Sequence, residues 1–320
     1  IRRRTALGQA DGRSVSGSGA QPATAVYRGI NMKPIIVVHG GVGCPRSCDD
    51  GTLKAARAAL KALNKTRSPM RAAVSGAVVL EDDPRFDCGY GSFLRIDGRT
   101  VEMDASVMDS DGNFGAVACI QKIRNPSIVA ELVSKSPPLM FCGQGAIDFA
   151  RQHKVPVFDL VAPKARRRYL DTLRFLARKK SVKQKRPRVR GCDTIGVLVS
   201  DGRGKFAGVN STGGVSYMML GRVGDAPIMG CGLYVGPHGA VAATGQGEEI
   251  IRQVLSLRVY DRIAGGMAPQ AACEWALTLY KNYRTSDLMP YKKIPIGVAA
   301  VTLTGYGIAA THQMASSVID

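Results

Sequence analysis

"DTIGVLVSDGRGKFAGVNSTGG", residues 193–214, decides how the rest of the chain is read. Two mainly apolar runs, 194–200 and 205–212, flank Asp201-Gly202-Arg203-Gly204, a hairpin signal. Just upstream, residues 164–190 carry thirteen Lys or Arg against Asp171 alone. A basic, linker-like segment therefore stops where a buried strand starts, on Thr194. Linkers often end where strands begin. The other reading is that Thr194 is meant to become a chain terminus. A threonine hydroxyl is a weak nucleophile until a base takes its proton. The residue's own α-amine, with an ordinary pKa of about 7.7–8, suits that task. It exists only once the bond before Thr194 is cut.

Downstream, "GAVAATG" (239–245) reads as a strand running into "QGEEIIRQVLSLRVYDRI" (246–263). The latter is one amphipathic helix by its spacing, with acids in the first turn where the helix dipole favours them. "AACEWALTLYKNY" (271–283) is a second helix and "IGVAAVTLTGYGIAATH" (296–312) a closing hairpin. Upstream, "MKPIIVVHGGVG" (32–43) is a strand ending in a glycine turn. Helical patterns cover 53–63, 70–83, 125–136 and 144–153, a strand covers 116–123, and 83–98 is a glycine-punctuated loop. Near-continuous apolar strands imply sheets buried on both faces, as helical layers outside two packed sheets would provide.

Composition narrows the partners. The 320 residues, 45% hydrophobic, suffice for one large domain or two small ones. No run of 18 apolar residues exists, so no membrane span is expected. Of the net charge of +19, residues 1–31 carry +4 and residues 164–190 carry +12, leaving an ordinary +3. The charge thus belongs to two segments that read as solvated, and Tyr169 and Phe175 alone offer stacking there. Nucleic acid is not an expected partner. Eight cysteines lack a disulfide-like pattern and no secretory apolar region is evident, which points to a reducing, cytoplasmic setting. Cys44 and Cys48 with His39 lack a fourth ligand at zinc-like spacing. Residues 1–31 begin with Ile and are polar; they read as a disordered leader or added extension, and their arginines also permit a transit peptide. Met32 opens the folded part.

The standard hydrolase signatures G-x-S-x-G, H-E-x-x-H and Walker A are missing, and four His leave little room for a His-based triad. The 193–214 stretch, followed by "GRVGDAPIMGCG" (221–232) and "ATGQGEE" (243–249), resembles the plant-type asparaginase and isoaspartyl peptidase family, the Thr-dependent N-terminal-nucleophile hydrolases. "IIVVHGG", "LEDDPRF" and "VEMDASVMDS" resemble the family's first half, so the likeness spans nearly all of 32–320.

The resemblance implies an α+β fold, a four-layer αββα sandwich. It implies one globular domain cut between Asp193 and Thr194 into parts 32–193 and 194–320, with 164–193 a flexible basic linker. Thr194 would be the nucleophile and Thr212 the residue that holds its amine and hydroxyl. Thr244 and Gly245 would form the oxyanion hole. Arg222 and Asp225 would grip the substrate's α-carboxylate and α-ammonium, and the Gly247 carbonyl would help bind the ammonium. A guanidinium fork suits a carboxylate, and a carboxylate suits an ammonium. The plain alternatives are a local Arg222–Asp225 ion pair and a simple strand-to-helix turn at "TGQGEE". A dinucleotide fingerprint there fails for want of a third glycine.

No cofactor is implied beyond a structural sodium wrapped by backbone carbonyls of "LEDDPRF", at Leu80, Glu81 and Phe86. One departure stands out: the family has F-N-A-G where this chain has Phe86-Asp87-Cys88-Gly89. Asp87 either modulates self-cleavage and substrate choice or is a solvated acid. The implied activity is release of aspartate from L-asparagine and β-aspartyl dipeptides, small-molecule substrates, by a homodimer of cleaved protomers. The related readings are a glycosylasparaginase and a taspase-like endopeptidase cutting after Asp. The non-enzymatic one is an inactive homologue binding nucleic acid through its basic linker.

Overall fold

Strands too apolar to expose either face must be covered on both, and two sheets with outer helices do that here. The computed structural model describes residues 29–158, 161–178, 194–280 and 294–320. In chain order the first half gives β1 (Ile35–Val42), α1 (Asp49–Thr66), α2 (Pro69–Asp82), β2 (Met103–Asp109) and β3 (Phe114–Ile120). It continues through α3 (Pro126–Val133), β4 (Met140–Cys142), α4 (Gly143–Gln152) and α5 (Pro163–Arg178). The second half gives β5 (Ile195–Ser200), β6 (Phe206–Thr212), β7 (Leu233–Gly236), β8 (Gly239–Gly245), α6 (Gly247–Gln253) and α7 (Leu255–Ala264). α8 (Pro269–Thr278), β9 (Ile296–Val301), β10 (Tyr306–Ala310) and β11 (Met314–Ile319) complete it. Seven strands form one sheet in the order β11-β1-β5-β6-β2-β3-β4, and four form another, β10-β9-β8-β7.

Side-chain alternation sorts the core. Val197 and Val199 of β5 join Ile36, Val38, Ala55, Ala73 and Leu80 in one apolar cluster with α1 and α2. Leu198 points the other way and meets Val37, Phe206, Leu233, Ala240 and Ala242, strands of both sheets. Val241, Ala243 and Val298 pack with Val259, Ile263 and Ala272 of α7 and α8.

Local chemistry explains the element ends. Ser68 caps α2 by accepting from the Arg71 N–H at 3.2 Å, with Pro69 at the first helical position. The β5–β6 hairpin turns where expected: Gly202 and Gly204 have φ of 74° and 92°, and the Asp201 carboxylate accepts from Arg203 N at 2.7 Å and Lys205 N at 3.0 Å. The expected helix over 246–263 is instead two, α6 and α7, broken at Val254 with φ 47°. The break has a local cause: the N–H groups of Ser256 and Leu257 donate to the carbonyls of Cys231 and Gly230 instead of continuing the helix.

The basic segment also differs from its reading as a flexible linker. Residues 163–178 form helix α5. Ala162 and Ala165 are buried, Lys164 Nζ donates to the Arg85 carbonyl at 3.0 Å, and Tyr169 Oη donates to the Ile96 carbonyl at 3.0 Å. The Arg168 guanidinium lies 4.5 Å from the Phe93 ring centre. Residues 179–193, and residues 1–28 of the expected leader, lie outside the described residues. Among the described residues no helix is long and apolar enough to cross a membrane.

Phe86 anchors the loop after α2. Its ring is fully buried, slotted where a side chain on Gly51 would come within 2.7 Å of it. Phe86→Ala should lower the unfolding free energy by about 3–5 kcal/mol, read as a shift of the denaturant midpoint. A shift equivalent to less than about 1 kcal/mol would mean that the slot is not a packing centre.

Candidate active site

The β5–β6 ladder pairs Ile195 with Ser211. Thr194, one residue before β5, is therefore brought next to Thr212, the last residue of β6. Both are nearly buried, at 4% exposed. They line one small cleft with Gly214, Val215, Arg222, Gly224, Asp225 and Gly245. Five of the residues singled out in the sequence thus meet at one place from four separate stretches of chain.

The other expected residues stand around this cleft. Thr244 is fully buried at the end of β8, and its Oγ1 accepts from Val42 N at 3.3 Å. That bond uses an acceptor lone pair and leaves the hydroxyl hydrogen to donate. Gly245 has φ 135°, and a side chain there would collide with the Pro295 carbonyl. Gly247 lies against the grip: a Cβ on it would sit 2.8 Å from Arg222 Nη2 and 3.0 Å from Asp225 Oδ1. Asp87 is fully buried against Gly213, the residue after Thr212. Its carbonyl accepts from Gly213 N at 2.8 Å and its Oδ1 from Phe93 N at 3.1 Å. Asp87 is therefore not a solvated acid. Asp193 lies outside the described residues.

The charges at the mouth are specific. Arg222 does not form its hydrogen-bonded pair with Asp225. Its Nε and Nη2 donate to Glu248 Oε1 and Oε2 at 3.1 and 3.0 Å. Burial opposes the guanidinium's charge, but Glu248, Asp225 and Asp104 outweigh it and hold its pKa above the ordinary value. Asp225 is 3% exposed, and its Oδ2 has no hydrogen-bond partner among the described residues. Burial pushes its carboxyl up to about 7, against the pull of its own backbone N–H and of Arg222. A buried carboxylate with an unused oxygen is a receptor for a donor-rich cation.

Glu248 had been legible only as a first-turn acid of a helix. Its pairing with Arg222, 26 positions away, has no local signature. Gly214, Val215 and Gly224 were likewise missed as cleft walls, since their role follows from the loops that carry them. In the loop after α2, side chains on Gly89 and Gly91 would collide with the carbonyls of Glu81 and Phe86, and a Cβ on Gly91 would also come within 3.1 Å of the Pro84 carbonyl. The Leu80 carbonyl accepts from Asp83 N at 3.2 Å. Among the described residues no cluster of three or more His, Cys, Asp or Glu could hold a metal.

A family model described as asparaginase matches residues 32–289. The chain is 37% identical over 265 residues to the human isoaspartyl peptidase/L-asparaginase, covering 78% of this chain and 83% of that one. It is 34% identical over 270 residues to the plant-type L-asparaginase of Pyrococcus abyssi (79% and 87%). It is 37% identical over 256 residues to the N(4)-(beta-N-acetylglucosaminyl)-L-asparaginase of Elizabethkingia miricola (78% and 73%). By the extent of these matches, the chain belongs to the asparaginase family.

Proposed function

We propose that this chain is a self-cleaving amidohydrolase that releases aspartate from L-asparagine and β-aspartyl dipeptides. The observation that carries the reading is the meeting of Thr194, Thr212, Arg222, Asp225 and Gly245 in one cleft. The three apolar clusters, one between the sheets and one under each helical layer, support the four-layer αββα arrangement.

The first reaction is internal. The Thr194 hydroxyl attacks the carbonyl carbon of Asp193, the C–N bond breaks, and the chain passes through an ester. Water hydrolyses the ester and leaves Thr194 with a free α-amine. Residues 32–193 and 194–320 remain one globular unit. In turnover that amine takes the hydroxyl proton and the oxygen attacks the substrate's β-carbonyl. The Thr244 hydroxyl and Gly245 N–H stabilise the oxyanion, which carries charge only in the transition state. Ammonia or an amino acid leaves with the proton, and water releases aspartate from the acyl-enzyme.

Arg222 takes the α-carboxylate while sharing its guanidinium with Glu248. Asp225 Oδ2 and the Gly247 carbonyl take the α-ammonium. Thr212 orients the Thr194 amine. Asp87 adds an acid against Gly213 where the family has an amide, and so modulates processing. The carbonyls of Glu81 and Phe86 facing the 89–91 turn, with that of Leu80 nearby, are hard oxygen donors of the kind sodium takes, and would hold it as a structural ion. No step passes through it. The working unit is a homodimer of cleaved protomers in the cytoplasm.

Purified wild type should run as two fragments, the smaller beginning at Thr194 by intact mass. Thr194→Ala should stay whole and lose aspartate release from a β-aspartyl dipeptide by about 10³-fold or more. A wild type that remains uncut and inactive after long incubation would refute the reading.

The grip also predicts a pH dependence. In the free enzyme Asp225 gains a proton as pH falls through about 7. The ammonium needs the ionised form, so the inhibition constant for L-aspartate should rise about tenfold per pH unit below that point. Succinate, which lacks the α-ammonium, should not show this rise. Equal pH profiles for the two would remove Asp225 from the ammonium site.

A further inference from the structure

Strand β2 presents two different faces. Met103, Ala105 and Val107 join the apolar cluster under α1 and α2. On the opposite face stand Asp104 and Ser106, with Glu102 immediately before the strand, all buried. Each bonds the backbone of the segment that carries the grip. Glu102 Oε2 accepts from Gly221 N at 2.8 Å. Asp104 Oδ2 accepts from Gly224 N at 3.1 Å. Ser106 Oγ donates to the Ala226 carbonyl at 2.5 Å. Three rungs two residues apart, two on the strand and one just before it, thus meet positions 221, 224 and 226, on either side of Arg222 and Asp225.

The segment needs these partners. Residues 221–226 are neither helix nor strand, so no ladder satisfies their polar groups. Carboxylate acceptors give the stronger, charge-assisted bond to an N–H. The rail is itself fixed. Glu102 is held by the buried Arg95, whose Nε lies 3.2 Å from Oε2 and whose Nη2 donates to the Glu102 carbonyl at 3.1 Å. Asp104 Oδ1 accepts from Cys119 N at 2.8 Å. That N–H belongs to a residue with φ 49°, at the point where the β2–β3 register slips. On its other side Asp104 pairs in register with Thr212.

We propose that Glu102, Asp104 and Ser106 are positioning residues that set where Arg222 and Asp225 stand relative to Thr212 and Thr194. The inference rests on the function proposed above. The rail touches no substrate. It acts through the grip, and one strand carries both the grip's anchor points and the register to the nucleophile's neighbour.

The test measures kcat and KM for β-aspartyl-leucine, with the fraction bearing a free Thr194 counted by intact mass. Glu102→Ala should raise KM about tenfold or more while kcat stays within about threefold. Glu102→Gln, which keeps an acceptor for Gly221 N–H, should recover most of the loss. In an Arg222→Lys background the Glu102→Ala effect should largely vanish, because both changes weaken the same contact. An unchanged KM in Glu102→Ala, or effects of Glu102→Ala and Arg222→Lys that multiply in full, would overturn the proposal. If Glu102→Ala yields no folded, cleaved protein, Ser106→Ala is read by the same split, and an unchanged KM there is equally fatal. An inactive wild type sinks the functional reading and this inference together; an active wild type with an unchanged Glu102→Ala sinks only the inference.

Discussion

The pairing of β5 with β6 is the constraint on which the rest of the structure depends. Its register, Ile195 opposite Ser211, puts Thr194, just before one strand, beside Thr212, the last residue of the other. Because side chains alternate, the same register sends Leu198 into the space between the sheets and Val197 and Val199 towards the helices. A slip of one residue would turn Thr194 away from the cleft and exchange the side chains of the two buried faces at once. The apolar patterning that folds the sheet therefore also holds the two threonines together.

The grip is built differently. Arg222 and Asp225 sit on irregular chain and owe their places to polar bonds: Glu248 on the guanidinium, and buried acceptors on the backbone either side. Acidic groups outnumber basic ones around it, with Glu102, Asp104, Asp225 and Glu248 against Arg95 and Arg222. Burial already pushes the carboxyls of Asp104 and Asp225 upwards. Such a site has room for one more positive charge, which an α-ammonium brings with it.

Much of this was legible in the sequence, for identifiable reasons. Strand and helix periods marked β1, β3, β5, β6, β8, β9 and β10 and helices α1 to α4 and α8, because their buried residues recur at the strand or helix period. Thr194 stood out where the basic segment meets a buried strand, and Thr212, Arg222, Asp225 and Gly245 were found because their blocks resemble those of the family. The misreadings arose where distant backbone decides the outcome. Gly230 and Cys231 break a continuous helical pattern at Val254. Helix α5 was hidden by its own charge, since Lys164 and Arg168 share the docking face with Ala165 and Tyr169. The short edge strand β4, and β7 and β11, carry too little alternation to be read alone. The rail of β2 sits in a block whose likeness to the family was plain while its geometry was not.

The strand order of the large sheet has a further consequence. Cutting before Thr194 would leave β1, β2, β3 and β4 on one polypeptide and β5, β6 and β11 on the other. In the sheet these interleave: β11 and β5 enclose β1, and β6 lies against β2. Two chains woven in this way cannot part by rolling off a surface; every separation must unzip main-chain ladders on both sides of a strand. A form cut there would be a pair of fragments held by these ladders, with no covalent link required. Its reassembly from unfolded pieces is a second-order process, whereas the uncut chain folds at a rate independent of concentration. A cut made after folding would therefore give the two-fragment form a persistence that its separated parts could recover only slowly.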